Sequence, residues 1–324
     1  MNFIDQIKKP ILSEMHLFAQ TFAEELNTDN ELLLSVNEYM HQKRGKQLRP
    51  ILTILSAKLC GEVNQKTIFG AQSLELLHTA SLIHDDVVDD TLERRGTPSI
   101  NARWTNKTAV FSGDYLFSKS LSCAIRTHNL EILKSVSDIG KQLTDGELLQ
   151  LVNVKVSHTS EENYYNIIRK KTAQLFASCG EVGALSVGAN QEQLEHLRSF
   201  GEFLGISFQI KDDIFDYFED IKIGKPTGND IRDGKVTLPL IYALLNSSES
   251  DRIKVLKLID NKEFSSENIK KITRFAHENG GIDYSIRQME LYKNKALQEL
   301  SDFKENDAKK SLFIFAEYVA SREL

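Results

Sequence analysis

Five prolines interrupt a chain of 324 residues, and their positions constrain the fold more than any other feature. Pro10, Pro50, Pro98, Pro226 and Pro239 each stand near a break between periodic segments, so long stretches carry no helix-breaker. Those stretches are rich in Leu, Ala, Glu, Lys and Gln, and their apolar residues recur with the helical period of 3.6. Leu74, Leu77, His78, Ser81, Leu82 and Asp85 share one helical face, and Leu197, Gly201, Leu204, Phe208 and Phe215 share another. No Asn-Gly hairpin flanked by period-2 alternation appears. The pattern predicts an all-α bundle with loops at 93–99, 222–235 and 246–251. No Ser/Gly/Pro-rich linker divides the chain and no repeat is evident, so residues 1–324 are expected to form a single domain.

Composition narrows the class of function. The formal net charge of −6 argues against a polyanion-binding surface, and no nucleic-acid partner is expected. Cys60, Cys123 and Cys179 are widely spaced and form no CxxC, which excludes a zinc ribbon and fits a reducing compartment. The first residues mix acids and lysines without a signal-peptide core, and no apolar run approaches the ~20 residues of a membrane span. A soluble, cytoplasmic protein with at most transient membrane contact is expected.

Two acidic clusters share one spacing. "LIHDDVVDD" (82–90) carries Asp85, Asp86 and Asp89, and "DDIFD" (212–216) carries Asp212, Asp213 and Asp216. On a helix, positions i and i+4 stand about 5–6 Å apart at Cβ, so Asp85 projects with Asp89 and Asp212 with Asp216. Like charges at this spacing destabilise a helix, more so at its C-terminus, where the macrodipole is already negative. Mg²⁺ resolves the conflict, because it takes oxygen ligands from one or two carboxylates, waters and substrate phosphates. A lone cluster is often a solvated helix end. These two are flanked by Leu, Ile, Val and Phe, and each continues a polar stripe: His78 and Ser81 before Asp85, Gln209 before Asp213. Neither has EF-hand spacing.

Cations accompany the acids. "RGKQLRP" (44–50), "ERRGTP" after the first cluster, "RKKTAQLF" (169–176) and "GKPTGNDIRDGK" after the second supply Arg forks and Lys point charges suited to phosphate. No P-loop is present. Apolar surroundings suit a substrate with a diphosphate head and a hydrocarbon tail.

With "GKQLRP", "LLHTASLIHDDVVDDTLERRGTPS", "GDYLF", "RKKTAQLF", "FQIKDDIFDYFED" and "GKPTGNDIRDGKVTLPLI" in this order, the chain resembles the trans-polyprenyl diphosphate synthases over residues 40–245. The resemblance implies one helical bundle around a deep central cavity, usually as a homodimer. It implies that Asp85, Asp89 and Asp212 are the principal Mg²⁺ ligands, supported by Asp86, Asp213 and Asp216, with three ions bound alongside substrate. Lys46, Arg49, His78 and Arg95 correspond to the isopentenyl diphosphate site. Arg94, Lys171, Thr172, Gln209, Lys225 and Lys235 correspond to the allylic diphosphate site. The chemistry implied is ionisation of an allylic diphosphate, served by the principal aspartates with Arg94 and Lys171, then attack by isopentenyl diphosphate and proton loss. Small Ala80 and Ser81 lie about one turn back from Asp85, where shorter-chain relatives commonly carry aromatics. A long product of about C35–C45 is therefore expected, with Ile132, Val136 or Ile139 as candidates for a deeper floor. The alternatives are a farnesyl or geranylgeranyl diphosphate synthase, a terpene cyclase, or a non-catalytic partner subunit. The second DDxxD motif and "GKQLRP" argue against the cyclase, and the presence of both aspartate motifs argues against the partner subunit.

Overall fold

A computed structural model describes residues 3–43, 45–152, 160–218 and 228–321. In chain order it contains α1 (Phe3–Lys8), a 3₁₀ turn (Lys9–Ile11), α2 (Leu12–Glu25), α3 (Glu31–Gln42), α4 (Leu48–Cys60), α5 (Gln65–Val88), two short strands β1 (Glu93–Arg94) and β2 (Thr97–Pro98), α6 (Ile100–Arg103), α7 (Asn106–Arg126) and α8 (Leu130–Val152). There follow α9 (Glu161–Ile168), a π-helical turn (Arg169–Ala173), α10 (Gln174–Ser186), α11 (Gln191–Phe215), α12 (Asn229–Arg232), α13 (Leu238–Asn246), α14 (Glu249–Asp260), α15 (Ser266–Glu278), α16 (Gly281–Gln298) and α17 (Asp307–Ser321). The all-α expectation holds. No described helix is long and apolar enough to cross a membrane.

Contacts divide the chain into two compact units. The first comprises residues 1–141, 176–199 and 300–315. Within it α4 is buried throughout the stretch from Pro50 to Ala57, where Ile51, Leu52, Ile54 and Leu55 spread apolar surface around the helix and the polar residues are the small Thr53 and Ser56. Pro50 falls in its first turn, where no intrahelical donor is lost. Gly183 permits α10 to approach it, because a Cβ there would stand 2.3 Å from the Thr53 carbonyl oxygen. A capping box between Asn64 and Thr67 starts α5, and Thr105 caps α7. These two helices pack antiparallel. The hydroxyls of Ser73 and Ser120 each donate to the other residue's carbonyl at 2.8 Å, and near the other end the His84 ring lies over Gly113.

The second unit comprises residues 142–175, 200–299 and 316–324. Its apolar clusters join α13, α15 and α16 through Leu240, Ala243, Ile269, Ile272, Phe275 and Ile282. A second cluster gathers Tyr164, Ile168, Ile206, Ile210, Ile214 and Met289.

Two of the expected loops contain more structure than their sequences suggested. Residues 93–98 form a two-stranded hairpin pairing Glu93 with Pro98 and Arg94 with Thr97. Both central residues, Arg95 (φ 55°) and Gly96 (φ 73°), take the left-handed backbone that a tight hairpin needs. An arginine is uncommon there, and its guanidinium donates to the Lys43 carbonyl at 3.1 Å, which helps hold it. In 246–251 only Ser247 and Ser248 lie between helices, with the Ser248 hydroxyl capping α14. Of the 222–235 segment, residues 229–232 form α12.

Candidate active site

The first acidic cluster ends α5. Asp85 and Asp86 lie in its last turn and Asp89 is its C-cap. The chain then turns back on itself: Thr91 N–H donates to the Asp86 carbonyl, and the Asn101 side-chain amide donates to the carbonyls of Asp86 and Thr91. Asp86 is buried, and its Oδ1 accepts from Arg94 Nε at 2.7 Å and Nη2 at 2.6 Å. The hairpin thus returns a guanidinium to the motif that precedes it. Asp89 is exposed and Asp85 half-buried.

Back along α5, the Ser81 hydroxyl donates to the His78 carbonyl at 2.9 Å. Ser81 is half-buried, whereas Ala80 is packed away, so Ser81 presents the surface at that level. Burial holds the His78 imidazole well below the usual histidine range, and the positive charges of Arg49, Arg95 and Arg94 push it further the same way. His78 is therefore neutral at physiological pH. A pocket enclosing about 120 Å³ is lined at its polar part by Lys43, Gln47, His78, Arg94 and Arg95, and elsewhere by Phe22, Leu26, Leu76, Ile83 and Leu116. The Arg95 guanidinium packs on Gly45, where a Cβ would meet it at 2.9 Å. Arg49 lies 5.2 Å from the centre of the Phe176 ring, and Lys46 is exposed. Lys43 and Gln47 were not singled out from sequence, although Gln47 lies within the "GKQLRP" segment and Lys43 two residues before it.

The second cluster ends α11, with Asp212 and Asp213 in its final turn and Asp216 just beyond. Asp213 is buried and doubly held: Tyr164 Oη donates to Oδ2 at 2.6 Å, and Gln209 Nε2 donates to Oδ1 at 2.9 Å. Gln209 Oε1 in turn accepts from the Thr172 hydroxyl at 2.8 Å. Burial, followed by the charges of Asp230 and Asp212, pushes the Asp213 carboxyl up to about 8, against the opposing effect of its two hydrogen bonds.

Thr172 and Lys171 sit in the π-helical turn, a feature often found at functional sites. Gly146 on α8 makes room for that turn, since a Cβ there would stand 2.9 Å from Lys171 Cγ. Lys171 Nζ is ion-paired with Glu147 at 2.7 Å and hydrogen-bonded to Gln150 at 2.9 Å. After the motif, Gly228 N–H donates to the Asp216 carbonyl, and Asp230 N–H donates to Asp216 Oδ2 at 3.0 Å. Lys235 Nζ lies 3.7 Å from Asp230 and 3.2 Å from Asp233. Lys225 lies outside the described residues. Sequence reasoning missed Tyr164, Glu147, Gln150 and Asp230. Only Asp230 had a signal, its place within the quoted "GKPTGNDIRDGK".

Among the described residues, no three His, Cys, Asp or Glu side chains converge into a closed metal cage. The donors in both motifs are hard carboxylate oxygens, with neither His nor Cys among them. Such a set fits Mg²⁺, which needs only one or two carboxylates when phosphate oxygens and water complete its shell.

A family model described as Polyprenyl synthetase matches residues 30–276. Octaprenyl diphosphate synthase of Haemophilus influenzae is 32% identical over 314 residues, covering 97% of this chain and 95% of that protein. The crystal structure of a Caulobacter crescentus polyprenyl synthase, complexed with calcium and isoprenyl diphosphate, superposes with a TM-score of 0.93 at 30% identity, covering 98% of each chain. A geranylgeranyl pyrophosphate synthase structure from Bacteroides thetaiotaomicron gives a TM-score of 0.87 at 42% identity, covering 99% of this chain and all of that one. With these matches spanning both aspartate motifs and the basic segments beside them, the chain belongs to the polyprenyl synthetase family and is a trans-prenyl diphosphate synthase.

Proposed function

We propose that this enzyme condenses isopentenyl diphosphate with an allylic diphosphate and repeats the step to a long all-trans product of about C35–C45, the expectation drawn from the small side chains below Asp85. One observation carries the prenyl-transfer reading. The middle aspartate of each motif is buried and fixed by the chain's own donors, Asp86 by Arg94 and Asp213 by Tyr164 and Gln209. Held in this way, Asp86 and Asp213 support their neighbours, as does Asp216, whose Oδ2 accepts from the Asp230 N–H, and Asp85, Asp89 and Asp212 are assigned as the principal carboxylates that meet metal.

Mg²⁺, as three ions in this reading, would neutralise the diphosphate and favour its departure. Arg94, Lys171, Lys225 and Lys235 are assigned to the allylic diphosphate, adding fixed positive charge where negative charge develops as the C–O bond breaks. Thr172 and Gln209 present aligned dipoles at the same group. Lys46, Arg49 and Arg95 hold isopentenyl diphosphate, and neutral His78 lies beside them as a hydrogen-bonding side chain without added charge. Apolar side chains around the motifs exclude water that would quench the allylic cation. The proton lost after coupling goes to the released diphosphate, so no side-chain base is needed. The whole chain acts as one polyprenyl synthetase domain and works as a homodimer, the commonest symmetric assembly, which light scattering on the purified protein tests.

A shorter C20 product is the second reading, favoured by the 42% identity to the geranylgeranyl synthase structure. The deciding experiment supplies farnesyl diphosphate, excess labelled isopentenyl diphosphate and Mg²⁺, then sizes products by mass spectrometry. A ladder ending within about C35–C45 supports the long-chain reading, and a stop at C20 replaces it with the second. No elongation by folded protein overturns the enzyme assignment for this chain. In the same assay Ser81→Phe should shorten the product.

A further inference from the structure

Three consecutive cations, Arg169, Lys170 and Lys171, occupy the π-helical turn, in which Gln174 N–H donates to the Arg169 carbonyl five residues back. Each meets an acid from another helix. Arg169 Nε donates to Glu202 on α11 at 2.8 Å, Lys170 Nζ lies 3.7 Å from Asp145 on α8, and Lys171 Nζ lies 2.7 Å from Glu147 on α8. Lys171 is the least exposed of the three, with 24% of its side chain open, and it has a second acceptor in Gln150 Oε1 at 2.9 Å.

Glu147 and Gln150 stand three residues apart and so share one face of α8, which lets a single helix supply both acceptors. Gly146 beside them allows a close approach: a Cβ there would stand 2.9 Å from Lys171 Cγ and 3.1 Å from Lys171 N. On its other flank the turn serves the second acidic motif, because Thr172 donates to Gln209, which donates to Asp213. The Lys171 charge reaches the same region. Burial raises the Asp230 carboxyl, and the charges of Lys235 and Lys171 act against that rise.

A carboxylate near a diphosphate site carries the wrong sign for binding, so Glu147 needs another reason to stand there. Stability is a weak one, since 32% of its side chain is exposed and such pairs contribute little. Preorganisation is a stronger one. A free lysine side chain loses much rotamer freedom when an anion fixes it, whereas an ammonium already held in place loses less.

We infer that Glu147, assisted by Gln150, is a positioning residue for prenyl transfer, fixing the Lys171 ammonium for the allylic diphosphate and acting through that lysine. The inference rests on the assignment of Lys171 to the allylic diphosphate made above. Its effect is confined to the allylic substrate, because Lys46, Arg49 and Arg95, assigned to isopentenyl diphosphate, belong to the other compact unit.

The test measures initial rates of labelled isopentenyl diphosphate incorporation with Mg²⁺, varying farnesyl diphosphate in one series and isopentenyl diphosphate in another. Wild type is compared with Glu147→Gln, Gln150→Leu, Lys171→Gln and the double variant Glu147→Gln/Lys171→Gln, with folding checked by circular dichroism. Glu147→Gln should lower kcat/KM for farnesyl diphosphate about five- to tenfold and Gln150→Leu about threefold, with KM for isopentenyl diphosphate within about twofold of wild type. In the Lys171→Gln background the Glu147 change should have no further effect, whereas a merely structural role would cost the same in both backgrounds. Where Lys171→Gln is too slow to measure, the split between the two KM values decides.

Equal losses in both backgrounds, or equal rises in both KM values, overturn the inference. A higher kcat/KM for farnesyl diphosphate in Glu147→Gln overturns it too, showing that the carboxylate competes with diphosphate for Lys171. If Glu147→Gln matches wild type while Lys171→Gln is impaired, this inference alone fails and the enzyme assignment stands. If Lys171→Gln is also unimpaired, the allylic assignment of Lys171 fails and takes the inference with it. A wild type that does not elongate overturns the proposed function itself, and this inference falls with it.

Discussion

The ion pair between Asp86 and Arg94 gives the sharpest prediction about the first motif. Asp86 is buried, with 5% of its side chain exposed, whereas Arg94 retains 36%. Loss of either partner therefore has unequal consequences. Arg94→Ala strands a buried carboxylate, while Asp86→Ala leaves a guanidinium that water can still reach. Hydrogen bonds to charged groups contribute about 1.5–3 kcal/mol, and the exposure of Arg94 reduces this to a coupling of about 1–2 kcal/mol. That corresponds to a roughly 5–30-fold change in the local folding equilibrium. The single tryptophan provides a local probe, because Trp104 follows α6 just after the hairpin and packs edge-on against Tyr39 at 5.5 Å. Urea unfolding without Mg²⁺, followed by Trp104 fluorescence, would be measured for wild type, both single variants and the double variant. The expected order places Arg94→Ala as the more damaging single change, with the double variant less damaged than the sum of the two. Additive effects within about 0.3 kcal/mol would refute the reasoning, showing that the pair does not stabilise the motif in solution.

Tyr164→Phe removes one hydrogen-bond partner from the buried Asp213 carboxyl and should cost about 1–3 kcal/mol in urea unfolding, together with weaker Mg²⁺-dependent activity. An unchanged urea midpoint and Mg²⁺ requirement would show that the Tyr164 bond does not position this motif. Gly180→Ala places a Cβ 2.1 Å from the Leu197 carbonyl oxygen, so backbone must shift, and a loss of about 1–3 kcal/mol is expected in the same assay. His78 has a depressed pKa in the folded protein, so below about pH 6.5 the unfolded chain binds a proton that the folded one does not. Its contribution therefore lowers stability as pH falls from about 6.5 toward the folded value. His78→Gln should flatten the stability profile between about pH 5 and 7, and an identical profile would contradict the assignment of a neutral His78.

Much of this protein is legible in one dimension because its determinants are local. Proline-free stretches with a 3.6 period can bury their apolar face only as helices, and DDxxD spacing brings carboxylates together within one turn. The helix ends at Asp89 and Asp216 follow from the same reasoning. Features that depend on a partner element were not legible. The left-handed Arg95 that closes the hairpin carries no Asn-Gly signal, and its guanidinium is held by a carbonyl at the end of α3. The π-helical turn that presents Lys171 and Thr172 accompanies the close approach at Gly146, which lies on another helix.

The sequence alone determined that the chain is helical, that acids recur with one spacing, and that cations stand beside them. Those properties follow from periodicity and charge along a single segment. The tertiary structure decided which carboxylates are buried and which donors hold them. It brought Tyr164 to Asp213, Arg94 back to Asp86, and Glu147 to Lys171. Each of these depends on how separate elements pack, and burial is what turns a polar contact into an electrostatic constraint.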